Sequence, residues 1–170
     1  MICSIAIVNH KTSELHSFSL QNYIIQGKSL MDSEKELLSN FVNFFNSLKN
    51  PIFIHWNMTG LEYGFKAIRA RCENYGFCNL SFANLTTFNL KDLTIYSLYG
   101  LLENNYCASL DILKGREELI CFKKRNYNMV KLSTEAKAIG LNKIMKLVMK
   151  NKVNMFKMPD IESIENTCDE

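Results

Sequence analysis

The 170 residues suffice for one domain with a buried core, and 47% hydrophobic with 22% charged residues is typical of soluble globular proteins. No apolar run approaches the roughly 20 residues of a membrane-spanning helix, and the first ten residues lack the basic start of a signal peptide. We therefore expect a cytoplasmic protein with no membrane partner.

The first half of the chain alternates strand and helix patterns. Two β-type runs, ICSIAIVN and ELHSFSL, flank a polar connection and predict a hairpin. The helical pattern that follows has Ser33 and Glu36 in the positions of a capping box, and Asn50-Pro51 ends it. The next run, IFIHW, is apolar without alternation and predicts a central strand.

The second half has mainly helical patterns. Helices are predicted over residues 61–72, behind Asn89 with Asp92 in the first turn, over residues 111–124, and from Ser133 or Thr134 onward. This order predicts an α/β fold in which helices cover a small mixed sheet made of the hairpin and the central strand. We expect a single domain at residues 1–157 and an acidic tail at residues 158–170.

The cysteine and histidine patterns argue against a metal centre. None of the six cysteines forms a Cys-x-x-Cys pair, and none of the three histidines has metal-site spacing from another. Reduced, mostly buried thiols are predicted, without disulfides or a structural zinc ion.

Charge is unevenly distributed along the chain. The net charge is +3, but the tail MPDIESIENTCDE holds five acids and no base, so residues 1–157 carry +8 by the same count. The segment LNKIMKLVMKNKVNMFK supplies five lysines. The positively charged residues 1–157 could bind nucleic acid. Alternatively, the acidic tail could neutralise the charge of the lysine-rich helix.

The polar residues that end the third strand form the main candidate binding site. His55, Trp56 and Asn57 lie where open α/β sheets bind ligands, beyond the carboxyl ends of the strands. Trp56 could stack on a base or fill the core, and Asn57 could bind a ligand or form an Asx turn. His55 could act in catalysis or be half-buried and satisfied by the backbone.

Two arginines follow on the predicted helix. Arg69 and Arg71 are about 200° apart on a helix of 3.6 residues per turn, so they cannot share one target. Either one could contact a phosphate or be solvated at the surface.

Residues 33–76 resemble the second motif region of the DEDD 3′–5′ exonucleases, in the ribonuclease H-like superfamily. Those proteins have a Glu-Leu-Leu-x-x-Phe helix, a buried strand followed by Asn, and a helix ending in Ile/Leu-x-x-Arg. The opening segment ICSIAIVNHKTSELHSFSL is similar to the hairpin of that family. The chain also resembles an uncharacterised group of bacterial proteins that carry His-Trp-Asn-Met and Tyr-Gly-Phe. The positions that match are Glu36, Leu37, Leu38, Phe41, Asn57, Ile68 and Arg71.

The resemblance implies metal-dependent phosphodiester hydrolysis, but most of the acids it requires have no counterpart here. The family carries Asp-x-Glu on its first strand, whereas ICSIAIV has no acid. Two-metal hydrolysis needs several carboxylates converging on ions roughly 3.5–4 Å apart. Glu62, Asp92 and Asp111 remain as catalytic candidates.

The sequence therefore predicts an exonuclease-like domain, degenerate in its catalytic acids, that binds single-stranded nucleic acid or a protein partner and needs no cofactor. His55, Trp56, Asn57, Tyr63 and Arg69 or Arg71 would line the cleft. One alternative is a 3′–5′ nuclease that uses Mg²⁺ or Mn²⁺ and is completed by another chain or segment. The other alternative is a protein-interaction module that does not bind nucleic acid.

Overall fold

The computed structural model describes residues 1–150 except residues 59, 61–62, 78–84, 94–99 and 101–111. The strands are β1 (Ser4–Val8), β2 (Leu15–Ser19), β3 (Ile52–His55) and β4 (Thr86–Asn89). The helices are α1 (Gln21–Ile24), α2 (Leu30–Ser47), α3 (Phe65–Asn74), α4 (Gly115–Lys123) and α5 (Tyr127–Met149), with a 3₁₀ turn at Leu90–Leu93.

The strands form two separate sheets. β1 and β2 pair antiparallel as the predicted hairpin, and β3 pairs with β4 in parallel, with Ile52 opposite Thr86 and His55 opposite Asn89. The predicted α/β class is confirmed, but the single mixed sheet is wrong. Within the described ranges β3 pairs with β4 alone and is not a central strand, and Ile52 is 69% exposed. β4 was missed because it is only four residues long and its last residue, Asn89, looked like a helix cap.

Helix α2 begins four residues earlier than the predicted capping box implies. Ser29 is the N-cap, and its Oγ accepts a hydrogen bond from the N–H of Asp32 at 3.1 Å. Ser33 lies inside the helix and is fully buried, while Glu36 pairs with Lys28 at 2.7 Å. The predicted Ser33–Glu36 box is therefore wrong, because Ser29 and Asp32 supply the cap one turn upstream.

The buried hydroxyl of Ser33 yields a stability prediction. Its Oγ has no hydrogen-bond partner among the described residues. We expect Ser33→Ala to raise the free energy of unfolding by about 1 kcal/mol, because alanine is a better helix former and leaves no polar atom buried without a partner. Urea denaturation measures the change. Ser29→Ala is the control of opposite sign, because removing the cap should lower the free energy of unfolding by about 1 kcal/mol. A Ser33→Ala variant less stable than the unmodified protein would contradict the prediction.

Helix α2 covers one face of both sheets. The rings of Phe18 and Phe41 meet edge to face with centroids 5.7 Å apart, and those of Phe45 and Phe53 stack at 5.6 Å. The predicted apolar face of the helix is confirmed, because Leu37, Leu38, Phe41 and Phe45 are buried. Both sheets therefore contribute to one core.

Helix α5 is longer than predicted. It begins at Tyr127, and the side chain of Asn126 accepts the N–H of Met129 at 3.3 Å. Ser133 is buried within the helix, where its Oγ donates to Glu118 at 2.8 Å and accepts the N–H of Leu113 at 3.0 Å. The predicted start at Ser133 or Thr134 is therefore wrong, because Ser133 joins α5 to α4 instead of capping α5.

Two of the other predicted helices differ at their ends, and one lies partly outside the described residues. α3 begins at Phe65 instead of residue 61, behind Gly64, and α4 begins at Gly115 instead of residue 111. Behind Asn89 the described residues form only the 3₁₀ turn, and the rest of that predicted helix lies largely outside the described ranges.

The described cysteines agree with the predicted reduced thiols. Cys3, Cys72 and Cys121 are free. Burial raises the pKa of Cys72 to about 11, with Glu34 and Glu73 adding to the effect, and burial with the charge of Glu118 raises that of Cys3 to about 12. Both thiols are therefore protonated at neutral pH and unreactive as nucleophiles. No helix in the described part of the chain is both long and apolar enough to cross a membrane.

Candidate functional site

The carboxyl ends of β3 and β4 bring several of the predicted site residues together. Asn57 follows β3 with a positive φ of 53°, and its N–H donates to Oδ1 of Asn89 at 2.8 Å. The side-chain amide of Asn89 donates to Asp92 at 2.9 Å. Asn57, Asn89 and Asp92 thus form one hydrogen-bonded chain at the sheet edge where α/β proteins bind ligands.

His55 is a buried, neutral ring in this site. It is 3% exposed, its Nδ1 accepts the N–H of Met58 at 3.2 Å, and its ring meets Phe65 edge to face at 5.2 Å. Burial lowers its pKa, and the charge of Asp92 offsets only part of this effect. This geometry agrees with the alternative in which the backbone satisfies His55.

The two aromatic candidates differ in exposure. Trp56 is half-buried and packs against the cluster formed by Leu90 and Ile144, which agrees with the core-filling alternative. Tyr63, in the connection between β3 and α3, is 62% exposed. Tyr63 is therefore the more accessible of the two rings for stacking.

The two arginines have separate partners, as their spacing predicts. Nε of Arg69 lies 2.8 Å from Glu73 on the surface of α3. Arg71 makes a two-point contact with the fully buried carboxylate of Glu34, through Nε at 2.9 Å and through its terminal nitrogen. Each arginine is therefore already paired with an acid.

Glu34 is the centre of a buried polar network that sequence reasoning missed. Its carboxylate also accepts the N–H of Ile2 at 2.6 Å and the hydroxyl of Tyr75 at 2.9 Å. Burial opposes ionisation, but the hydrogen bonds from Arg71, Ile2 and Tyr75 and the charge of Arg71 outweigh it and lower the pKa of Glu34. The network joins the segment just before β1 to α2 and α3, and its role is structural. An acid on the apolar face of a helix is the sequence signal that could have revealed it.

Of the predicted catalytic acids, only Asp92 is described. It is exposed and bonded to Asn89, while Glu62 and Asp111 lie outside the described residues. The described part of the chain contains no group of three or more His, Cys, Asp or Glu side chains placed to hold a metal ion. The described geometry therefore supplies a hydrogen-bonding edge and not a set of converging carboxylates.

A second surface, which we call the lysine face, consists of Lys11, Lys143, Lys146 and Lys150. Lys143 and Lys146 lie on one side of α5, and Lys150, which caps the carboxyl end of the helix, continues the same helical spacing. The β1–β2 turn with Lys11 lies against them, because Lys146 contacts the Ser13 hydroxyl, and His10 of the same turn lies 2.9 Å from Asn142.

Among the described carboxylates, none forms an ion pair with the lysine face. In contrast, Lys131 and Lys137 of the same helix pair with Glu135 at 3.9 Å and Glu118 at 2.8 Å. No described carboxylate therefore neutralises the lysine face by direct pairing, and the acidic tail at residues 158–170, which the sequence offers as a balancing partner, lies outside the described residues. Sequence reasoning identified the lysine helix but not the adjoining turn.

Comparison with protein-family models, with curated proteins and with solved structures gives no match for this chain. The resemblance to the exonucleases therefore remains a prediction from the sequence, and the described structure establishes the α/β class.

Proposed function

We propose that this chain is an exonuclease-like α/β domain that binds single-stranded nucleic acid without hydrolysing it. The observation that carries the proposal is the lysine face, a row of cations with no acidic partner among the described residues. The order of hairpin, helix, strand and helix in the first half of the chain agrees with the segment that resembles the exonucleases, and it supports the proposal.

The lysine face has the geometry that backbone binding requires. Lys143 and Lys150 are seven residues apart, which is roughly 10 Å along a helix, so they can contact successive parts of one strand. Phosphates that pair with lysines release counterions, which makes the binding favourable and sensitive to salt. Arg69 and Arg71 contribute less, because their charges already meet Glu73 and Glu34.

The carboxyl edge of β3 and β4 would add contacts to bases. The exposed ring of Tyr63 can stack, which is worth roughly 1–3 kcal/mol per base, and the exposed Asn57 side chain can form hydrogen bonds. Helix α5 links this edge to the lysine face, because Ile144 packs beside Trp56 and Leu90 on the side of the helix opposite the lysines.

The binding test uses fluorescence anisotropy with labelled strands of about 20 nucleotides, oligo-dT and oligo-U, at salt concentrations from about 50 to 200 mM. The triple variant Lys143→Ala/Lys146→Ala/Lys150→Ala is expected to bind at least tenfold more weakly. The slope of its plot of log affinity against log salt concentration should be less steep by about 2, because each of the three lost phosphate contacts on a single strand contributes about 0.7 to the slope.

The matched control removes three exposed lysines elsewhere, in Lys35→Ala/Lys49→Ala/Lys66→Ala, and so changes the net charge by the same amount. It should keep most of the affinity. Equal weakening by both triple variants would show that only net charge matters. No binding by the unmodified chain at about 50 mM salt would overturn the proposal and favour the protein-interaction alternative. Cleavage of the labelled strand in Mn²⁺ that is lost in Glu62→Ala would favour the nuclease alternative.

A further inference from the structure

Strand β1 has an edge whose backbone groups have no partner among the described residues. The bonds from Leu20 N to Cys3 O, 3.0 Å, and from Asn9 N to Glu14 O, 2.9 Å, fix which residues of β1 face β2. In an antiparallel ladder the alternate residues face the other way. The N–H and C=O groups of Ser4, Ala6 and Val8 therefore point to the edge away from β2.

Both faces of this strand are covered. Ile5 is 8% exposed and packs in the core beneath α2, on the same side as its partner Phe18. The hydroxyls of Ser4 and Ser17 on the opposite side are buried, and α5 packs against the hairpin, more extensively on β1 than on β2. Strands covered on both faces are typically interior strands of a sheet, and buried backbone groups are nearly always paired.

The two sheets lie between the same two helices without being joined. α2 contacts β2 through Phe41 and β3 through Phe45, and α5 packs on β1 and, through Ile144, on the cluster that includes Ile54. Among the described strands, β1 and β3 each have one partner, β2 and β4 respectively. The layer between the helices is thus an interrupted sheet.

We propose that the free edge of β1 accepts an extended strand from a partner protein. The strand would be about as long as β1, which has five residues, and would bond to the backbone of Ser4, Ala6 and Val8. Because both faces of the layer are covered, its side chains would be uncharged. Its large apolar residues would lie beside Ile5 on the core side. They would alternate with small residues, which would lie on the side of Ser4 and Ser17.

Amide hydrogen exchange by NMR on the whole chain tests this proposal. The probes are seven-residue peptides in which Val or Ile alternates with Ala or Ser, with a lysine at each end. Without peptide, the amides of Ser4, Ala6 and Val8 should exchange at least tenfold faster than those of Ile5 and Ile7. Added peptide should slow the three edge amides at least tenfold.

Two proline variants separate the edges of the hairpin. Ala6 and Ser17 are direct cross-strand partners, and each directs its N–H away from the other strand. Proline is tolerated where a strand N–H faces outward. Ala6→Pro should abolish the effect of the peptide, whereas Ser17→Pro, on the opposite edge, should preserve it.

The exchange measurement on the unmodified chain decides the matter even if Ala6→Pro does not fold. Slow exchange of the edge amides without peptide, at every protein concentration, would show that the chain itself already covers the edge. Protection that increases with protein concentration alone would identify a second copy as the occupant. Either result, or no protection at millimolar peptide, would overturn the proposal.

Discussion

Arg71→Ala is expected to lower the free energy of unfolding by about 3–5 kcal/mol, because it leaves the carboxylate of Glu34 buried without its countercharge. Glu34 is 0% exposed and Arg71 contacts both of its oxygens. The bonds from Ile2 and Tyr75 would remain, but neither supplies a positive charge. Urea denaturation at pH 7 with a linear extrapolation measures the loss.

Arg69→Ala on the same helix is the matched control. Arg69 and Glu73 are both more than half exposed, at 56% and 54%, and such surface pairs contribute about 0.3–0.5 kcal/mol. Equal losses of stability in Arg71→Ala and Arg69→Ala would show that the Glu34 network contributes no more than an exposed ion pair.

The same network predicts how stability depends on pH. The pKa of Glu34 is lowered from its ordinary value of 4.5 in the folded protein. A lowered carboxyl pKa stabilises the fold above the unfolded-state pKa, and this contribution is lost as the pH falls through the folded-state value. Stability should therefore decline from about pH 4.5 downward, and Glu34→Gln should remove part of that decline. Urea denaturation at pH values from 3 to 7 measures this dependence. If Glu34→Gln lost as much stability at low pH as the unmodified protein, the prediction would be contradicted.

Gly64→Ala is expected to destabilise the protein by about 2–4 kcal/mol through backbone strain and overpacking. Gly64 has a φ of 93° and a ψ of −151°, a region that is essentially restricted to glycine. An added Cβ would lie 2.3 Å from the carbonyl oxygen of Met58, which accepts the N–H of Phe65 at 3.1 Å. Because the obstructing atoms are backbone, the connection between β3 and α3 would have to move.

Gly76→Ala separates the steric effect from the effect of a positive φ. Gly76 has a φ of 78°, but an added Cβ would meet nothing within 4 Å. Gly76→Ala should therefore lower the free energy of unfolding by only about 1–2 kcal/mol, the ordinary penalty for a non-glycine residue in a left-handed conformation. Thermal and urea unfolding of both variants measure the difference, and a Gly64→Ala variant no less stable than Gly76→Ala would refute the steric argument.

Elements that depend on local patterns could be predicted from the sequence. The hairpin and the apolar face of α2 follow from alternation and helical spacing, which neighbouring residues determine. The separate targets of Arg69 and Arg71 follow from helix geometry alone.

Features that depend on contacts between distant residues were missed. β4 is a strand because it pairs with β3, which lies more than 30 residues away, and its own four residues give a weak signal. Glu34 lies on the apolar face of α2, but its partners Arg71 and the N–H of Ile2 are more than 30 residues away and cannot be identified from local patterns. Ser133 resembles a cap but is buried, because α5 begins six residues earlier, at Tyr127.

The absence of backbone hydrogen bonds between the two described sheets has a mechanical consequence. Within each sheet a displacement of one strand is transmitted directly through the ladder, but between the sheets it must pass through side chains of α2 and α5. Such packed contacts allow small sliding movements without breaking a directional bond. The β1–β2 turn and the Asn57 edge can therefore shift relative to each other by shear between helix and sheet, with Ile144 and Phe45 as the contacts that transmit the movement.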